Sequence, residues 1–194
     1  MVLTELSLTA LTQQPPAFEF PNGVWMAGGF LRDSIAGTKP NDIDIFARDA
    51  DQLTKFKEVN LKGAVELFKT GNLATYEYQG WKVQLISKYF GSMEALLDSF
   101  DFTICQFAYN GKLYCNPDSL VHLFQKKLIV HKLEGLYVLD SMRRMQKYIQ
   151  RGFTICNGGL MEFMKAIRAA SEADIKTSFE YYPITNTTRI KRWD

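Results

Sequence analysis

The chain holds 194 residues, 46% of them apolar and 23% charged. That composition suits one folded domain with a small appendage and excludes bulk disorder. No run approaches the roughly 18–20 uncharged apolar residues of a membrane helix. The N-terminus Met1-Val-Leu-Thr-Glu-Leu lacks the basic and apolar regions of a secretory signal, so a cytoplasmic chain without a membrane partner is expected.

Three scattered cysteines, Cys105, Cys115 and Cys156, exclude a zinc ribbon, and two histidines, His122 and His131, exclude an HExxH protease. The net charge of +2 hides an asymmetry: residues 1–119 carry 10 Lys/Arg and 14 Asp/Glu, whereas residues 120–194 carry 13 and 7. A cationic C-terminal surface suits nucleic acid or nucleotide phosphate, although solvated helix faces give the same count.

In chain order, residues 1–22 are polar and turn-rich. Val24-Trp25-Met26-Ala27 predicts a buried strand ended by Gly28-Gly29, and Phe30–Ile35 a helix closed by Gly37. Asp42-Ile-Asp44-Ile-Phe46 alternates polar and apolar, the period of a half-buried strand. Two helices are predicted near 50–58 and 62–69, then a hairpin of 73–79 and 81–87 about Gly80, and a helix at 92–99. Asp101–Tyr109 reads as a β-rich run, turned by Asn110-Gly111 into Lys112–Cys115. Helical spacing follows at 117–126, 139–151 and 158–173, with Gly152 stopping the second of these and Asn157 capping the third. The expected organisation is a small α/β head, residues 1–116, and a helical part, residues 117–194.

The chemistry concentrates in Gly28-Gly29-Phe-Leu-Arg32-Asp33 and Asp42-Ile-Asp44. Two glycines between a strand and a helix let the backbone approach a ligand, and the free amides there favour phosphate. Aspartates at i and i+2 on a strand share a face and can share divalent metal ions for in-line phosphoryl transfer. A second DxD, Asp49-Ala-Asp51, reads as a solvated helix start.

Strand, Gly-Gly, helix with Arg-Asp, loop and DxD strand in this order resemble the head of the bacterial-type tRNA nucleotidyltransferases and poly(A) polymerases, members of the polymerase-β nucleotidyltransferase superfamily. Asp101-Phe-Thr-Ile-Cys105 with Ala108-Tyr109 resembles that family's Arg-Asp-Phe-Thr-Ile-Asn-Ala segment. Asp140-Ser-Met-Arg143 with Gly152-Phe153 resembles its base-reading neck helix.

The resemblance implies an α/β (α+β) fold: a small mixed β-sheet nucleotidyltransferase head with flanking helices, then a helical neck-like part. It implies Mg²⁺ (or Mn²⁺) held by Asp42 and Asp44, and an NTP such as ATP as substrate. Gly28, Gly29 and Arg32 would hold the triphosphate, with Asp33 as the partner to this loop. Asp101 falls where the family contacts the sugar, and Asp140 and Arg143 where it contacts the base. The implied activity moves a nucleoside monophosphate onto a hydroxyl acceptor, foremost an RNA 3′ end, releasing pyrophosphate.

The chain also departs from the family pattern. Gln84 stands where members carry an acid beside the DxD strand, Glu77 being the alternative carboxylate. Phe100, Cys105, Leu139 and Gln146 replace an arginine, an asparagine, an acid and a second arginine. These losses open a second reading, a catalytically degenerate nucleotidyltransferase fold that binds nucleotide, RNA or protein. The resemblance stops soon after the neck, so a minimal version without the family's tRNA-gripping body, of the kind a phage or mobile element encodes, is expected.

Arg143, Lys147 and Arg151, spaced i, i+4, i+8, form with Arg144 a basic helix face suited to RNA phosphate, with a solvated face as the plainer reading. Arg189-Ile-Lys191-Arg192-Trp193 mixes basic and aromatic residues in the way that suits single-stranded nucleic acid. His122 and His131 are expected on a helix face and a loop, and Cys105 as a small buried hydrophobe on a strand.

Overall fold

The computed structural model describes residues 2–134 and 137–173, so the basic-aromatic tail at 189–193 lies outside the described residues. The chain divides into two compact units after Lys132.

The first unit is a mixed eight-stranded sheet with helices on both faces. In chain order its elements are β1 (Thr4–Leu6), β2 (Val24–Ala27), α1 (Gly29–Ile35), β3 (Asp42–Ala47), α2 (Ala50–Asn60) and β4 (Val65–Lys69). There follow β5 (Leu73–Tyr78), β6 (Trp81–Tyr89), α3 (Met93–Asp98), β7 (Phe107–Tyr109), β8 (Leu113–Cys115) and α4 (Pro117–Phe124). The strand order is β1-β8-β7-β2-β3-β6-β5-β4. Every pairing is antiparallel except β3 with β6.

Alternation sorts the central strands into two faces. Val24, Met26, Ile43, Ile45, Val83 and Leu85 point one way and are buried. Phe30 of α1 meets Trp81 edge-on at 5.3 Å, and Phe56 of α2 meets Phe18 at 5.3 Å and Phe20 at 5.6 Å. Asn60 closes this layer: its side chain accepts from the Glu19 amide at 2.7 Å and donates to the Glu19 carbonyl at 2.8 Å. On the other face Trp25, Ala27 and Phe46 pack with Met93, Leu96 and Leu97 of α3. Toward the N-terminal end of β3 that face turns polar, with Asp42 and Asp44 on β3 and Lys82 and Gln84 beside them on β6.

Two expected elements differ. Residues 65–69 form the edge strand β4 rather than helix. Gly63, at φ +77°, stops the chain after α2, and β5 offers a pairing partner. The Asp101–Tyr109 run is a strand only from Phe107. Thr103–Cys105 is a 3-10 turn, held by Cys105 N–H to Phe102 O (3.0 Å) and Gln106 N–H to Thr103 O (3.0 Å). Ser119 of α4 donates its hydroxyl to the Thr103 carbonyl at 2.7 Å, which ties α4 to the first unit. Asn157 is the first residue of a helix, and the residue that caps that helix is Cys156.

The second unit contains α5 (Val138–Gln150) and α6 (Asn157–Ala169). The Tyr148 and Phe153 rings, 6.0 Å apart, are buried there with Phe163. Gly152, at φ +84°, follows the end of α5.

Candidate active site

The site starts at the strand-to-helix junction. Gly28 is the N-cap of α1 at φ 87° and ψ −129°, a conformation that glycine adopts freely and residues with a Cβ rarely do. Its amide donates to the Phe107 carbonyl at 3.0 Å, which fixes the loop to β7. A methyl group built on Gly28 would lie 3.5 Å from the Phe100 ring and 4.0 Å from Asp44 Oδ2. The second acid of the DxD therefore faces the glycine doublet across a gap of van der Waals size. Asp42 and Asp44 share one face of β3, and both are half-buried.

Arg32 and Asp33 point inward. Arg32 is 4% exposed, with Nε and Nη2 each 2.7 Å from Asp33 Oδ1 and Nη1 3.6 Å from Cys105 Sγ. Arg32 Nη2 also lies 3.6 Å from the Cβ position of Gly29, directly beneath the doublet. The pair braces the loop from below. Cys105 is buried as expected, but on the 3-10 turn and against a guanidinium.

The parallel register of β3 and β6 sets Asp42 beside Lys82 and Asp44 beside Gln84. In β5, Thr75 is opposite Gln84 and Glu77 opposite Lys82. Gln84 thus occupies the position neighbouring the acid pair. Glu77 stands two strands from Asp42, about 10 Å by ordinary strand spacing. Among the described residues, no group of three or more His, Cys, Asp or Glu side chains is placed to hold a metal ion. The donor set at this end of the sheet is two carboxylates and the neutral amide oxygen of Gln84.

Asp101 is 7% exposed and follows Phe100, whose ring abuts Gly28. Its carbonyl accepts from the amides of His131 (2.8 Å) and Lys132 (3.4 Å), so the strap after α4 holds this turn in place. His131 Nε2 reaches Asp98 Oδ1 at 3.0 Å, and His122 Nδ1 reaches Thr103 Oγ1 at 2.9 Å. Both histidines brace the Asp101 turn, a role their isolated positions in the sequence gave no signal of. Asp49 is the N-cap of α2, and the Gln52 amide holds its carboxyl below the ordinary value. The second DxD is thereby a helix start.

Asp140, Arg143, Arg144 and Lys147 belong to the second unit, where they line a pocket of about 170 Å³. Arg143 Nη1 pairs with Asp140 Oδ1 at 3.1 Å, and Arg144 Nη2 donates to Ser141 Oγ at 3.1 Å. Arg151 is exposed at the C-cap of α5.

Solved structures share this arrangement of chain. The Thermotoga maritima CCA-adding enzyme complexed with tRNA matches at a TM-score of 0.65 and 22% identity, over 87% of this chain and 46% of that one. A CCA-adding enzyme in complex with CTP matches at 0.58 and 22%, over 82% and 42%. A tRNA nucleotidyltransferase with a primer tRNA and an incoming ATP analog matches at 0.56 and 15%, over 82% and 52%. These likenesses establish the nucleotidyltransferase fold.

A relative, Gabija anti-defense 2 of Bacillus phage SPbetaL7, is 26% identical over 161 residues, which cover 80% of this chain and 39% of that protein. The chain therefore spans about two fifths of the length of this curated relative. The model of the Gabija anti-defense 2 family protein matches residues 6–126, from the last residue of β1 to just past α4. With the glycine doublet, the DxD strand and the Asp101 turn all inside that match, the chain belongs to the Gabija anti-defense 2 family, on a nucleotidyltransferase fold.

Proposed function

We propose that the chain is a Mg²⁺- or Mn²⁺-dependent nucleotidyltransferase that moves a nucleoside monophosphate from an NTP to a hydroxyl acceptor, foremost an RNA 3′ end. One observation carries the reading: Asp44 Oδ2 lies 4.0 Å from where a Cβ would stand on Gly28. Acids and phosphate-binding loop thus close on one small volume.

The residues fit the ion. Magnesium is commonly held by one or two carboxylates, with water and substrate phosphate oxygens completing its shell, and Asp42 and Asp44 supply the two carboxylates. A bound ion would supply charge neutralisation at the phosphoryl oxygens and lower the pKa of the attacking hydroxyl. The chain's own groups orient. Amides at the N-terminus of α1 would receive the polyphosphate, and the buried Arg32–Asp33 pair would keep the doublet in place. The acceptor oxygen bonds to the α-phosphorus as the bond to the bridging oxygen breaks, and pyrophosphate leaves with that electron pair. Gln84 has no basic carboxylate oxygen to receive the acceptor hydroxyl's proton, which would pass to solvent water while Asp44, its neighbour in register, holds the ion. Positioning and charge carry most of such a reaction.

Asp140 and Arg143 would contact the base, Asp101 the sugar, and Arg144, Lys147 and Arg151 the RNA phosphates. The relative's name gives it a role against the Gabija defence, and we extend that role to this chain, acting in the cytoplasm of an infected host.

The test is incubation with each labelled NTP, Mg²⁺ and an RNA pool. Incorporation by the natural chain, lost in Asp42→Ala and Asp44→Ala while both variants stay folded, is expected. Full activity in both variants would refute the reading. The register of Gln84 with Asp44 favours a second one, a fold that binds nucleotide or RNA without turnover; binding in calorimetry without incorporation is its signature. Protection of a Gabija-sensitive phage by the natural chain but not by Asp44→Ala would link chemistry to defence.

A further inference from the structure

We infer that Lys82 is an acceptor-binding residue, selecting acceptors that carry a phosphate near the attacking hydroxyl. The inference rests on the transferase reading above.

Three observations support it. Asp42 and Lys82 are partners in the parallel register of β3 and β6, and partners in register share a face of the sheet. Lys82 is exposed and forms no ion pair among the described residues, although Asp42 flanks it on one side and Glu77 on the other. And β2 and β6 flank β3 on opposite sides. The glycine doublet at the end of β2 and Lys82 at the start of β6 therefore bracket the acid pair.

An in-line displacement places leaving and attacking oxygens on opposite sides of the phosphorus. With the polyphosphate on the doublet, the attacking hydroxyl enters from β6. There it meets a cation, Lys82, and a neutral amide, Gln84, with the carboxylate of Glu77 one strand farther out. A phosphodiester beside a 3′ hydroxyl satisfies that cation, and so does a phosphate monoester on a small alcohol; a neutral alcohol does not. A charge row serving the sheet alone would alter stability and leave acceptor affinity untouched.

The test compares the natural chain with Lys82→Met and Lys82→Arg. Fluorescence anisotropy measures a labelled short oligoribonucleotide, calorimetry measures ATP with Mg²⁺, and thermal unfolding checks the fold. Lys82→Met is expected to weaken oligoribonucleotide binding about five- to tenfold and to flatten the salt dependence by about 0.7 in log–log slope. ATP affinity should hold, and Lys82→Arg should retain most of the binding. Competition by glycerol 3-phosphate but not glycerol would assign the site to a phosphate monoester, and failure of both to compete to a phosphodiester.

Loss of ATP affinity in Lys82→Met, no change in either affinity, or a natural chain that binds neither phosphate probe would overturn the inference. In the last case Asp42-dependent ATP binding would still leave the transferase reading standing. Conversely, Lys82-dependent binding of the oligoribonucleotide by a chain that never takes an NTP would keep the contact and remove the transferase.

Discussion

Gly28 and Gly29 are adjacent, yet alanine should destabilise the chain at the first and leave it nearly unchanged at the second. At Gly28 an added Cβ meets ordinary contacts: Phe100 Cε1 at 3.5 Å, Cζ at 3.6 Å and Asp44 Oδ2 at 4.0 Å. Space is therefore not the obstacle. The obstacle is the backbone at φ +87°, ψ −129°, which alanine reaches only at a cost of about 1–3 kcal/mol. A stiffer unfolded chain offsets about 0.4–1 kcal/mol of that. Gly29 opens α1 without a positive φ, and its added Cβ would sit 3.6 Å from Arg32 Nη2. Alanine there keeps its helix preference and should change stability by less than about 0.5 kcal/mol. Urea unfolding followed by the fluorescence of buried Trp25 measures both, with unchanged m-values as the control on compactness. A Gly28→Ala chain within about 0.5 kcal/mol of the natural one, or a Gly29→Ala chain equally damaged, would refute the account. If Gly29→Ala stays stable but loses ATP affinity, close backbone approach is what the second glycine provides.

Three further outcomes follow from the same geometry. Gln84→Glu places a carboxylate beside Asp44; without Mg²⁺ it should cost about 0.2–1 kcal/mol through like-charge repulsion, with Mg²⁺ restoring the stability and raising turnover in the labelled-NTP assay. Asp33→Ala removes the carboxylate beside the buried Arg32 guanidinium and should cost about 3–5 kcal/mol by urea unfolding, far more than removing an exposed partner such as Glu5 of the Lys112 pair. Of the three cysteines only Cys156 is exposed, and burial pushes the Cys115 thiol up to about 11. Iodoacetamide near pH 9, read by mass spectrometry, should label Cys156 first and leave Cys115 a protonated thiol until the chain unfolds.

The strands and helices that bear the site were legible in the sequence because each has a local cause. Alternation marks β3, the Gly-Gly break ends β2, and Asn110-Gly111 turns β7 into β8. The misread segment 62–69 shows the limit. Leu61, Val65 and Phe68 fall at helical spacing, and only the stop at Gly63 and the free edge of β5 make that stretch a strand. Likewise the residues from Asp101 to Ala108 are buried throughout, so their apolar pattern has no period that separates a strand from a 3-10 turn.

The chemistry depended on a quantity that no local pattern carries, the register of two parallel strands separated by α2, β4 and β5. Alternation places Asp42 and Asp44 on one face, and Lys82 and Gln84 on one face, but it does not say that these faces coincide. A slip of one residue would set Val83 beside Asp44 and leave the acids against a hydrophobic row. The observed pairing instead assembles acid, base and amide around one end of the sheet. That row decides whether the fold retains transfer chemistry. Two carboxylates can hold an ion that substrate phosphates help to ligate, while the neutral third position makes metal binding depend on the nucleotide being present. On this argument Mg²⁺ alone should bind weakly and ATP should tighten it, a linkage that calorimetry with and without nucleotide would reveal. Tight Mg²⁺ binding without nucleotide would show that another ligand completes the site.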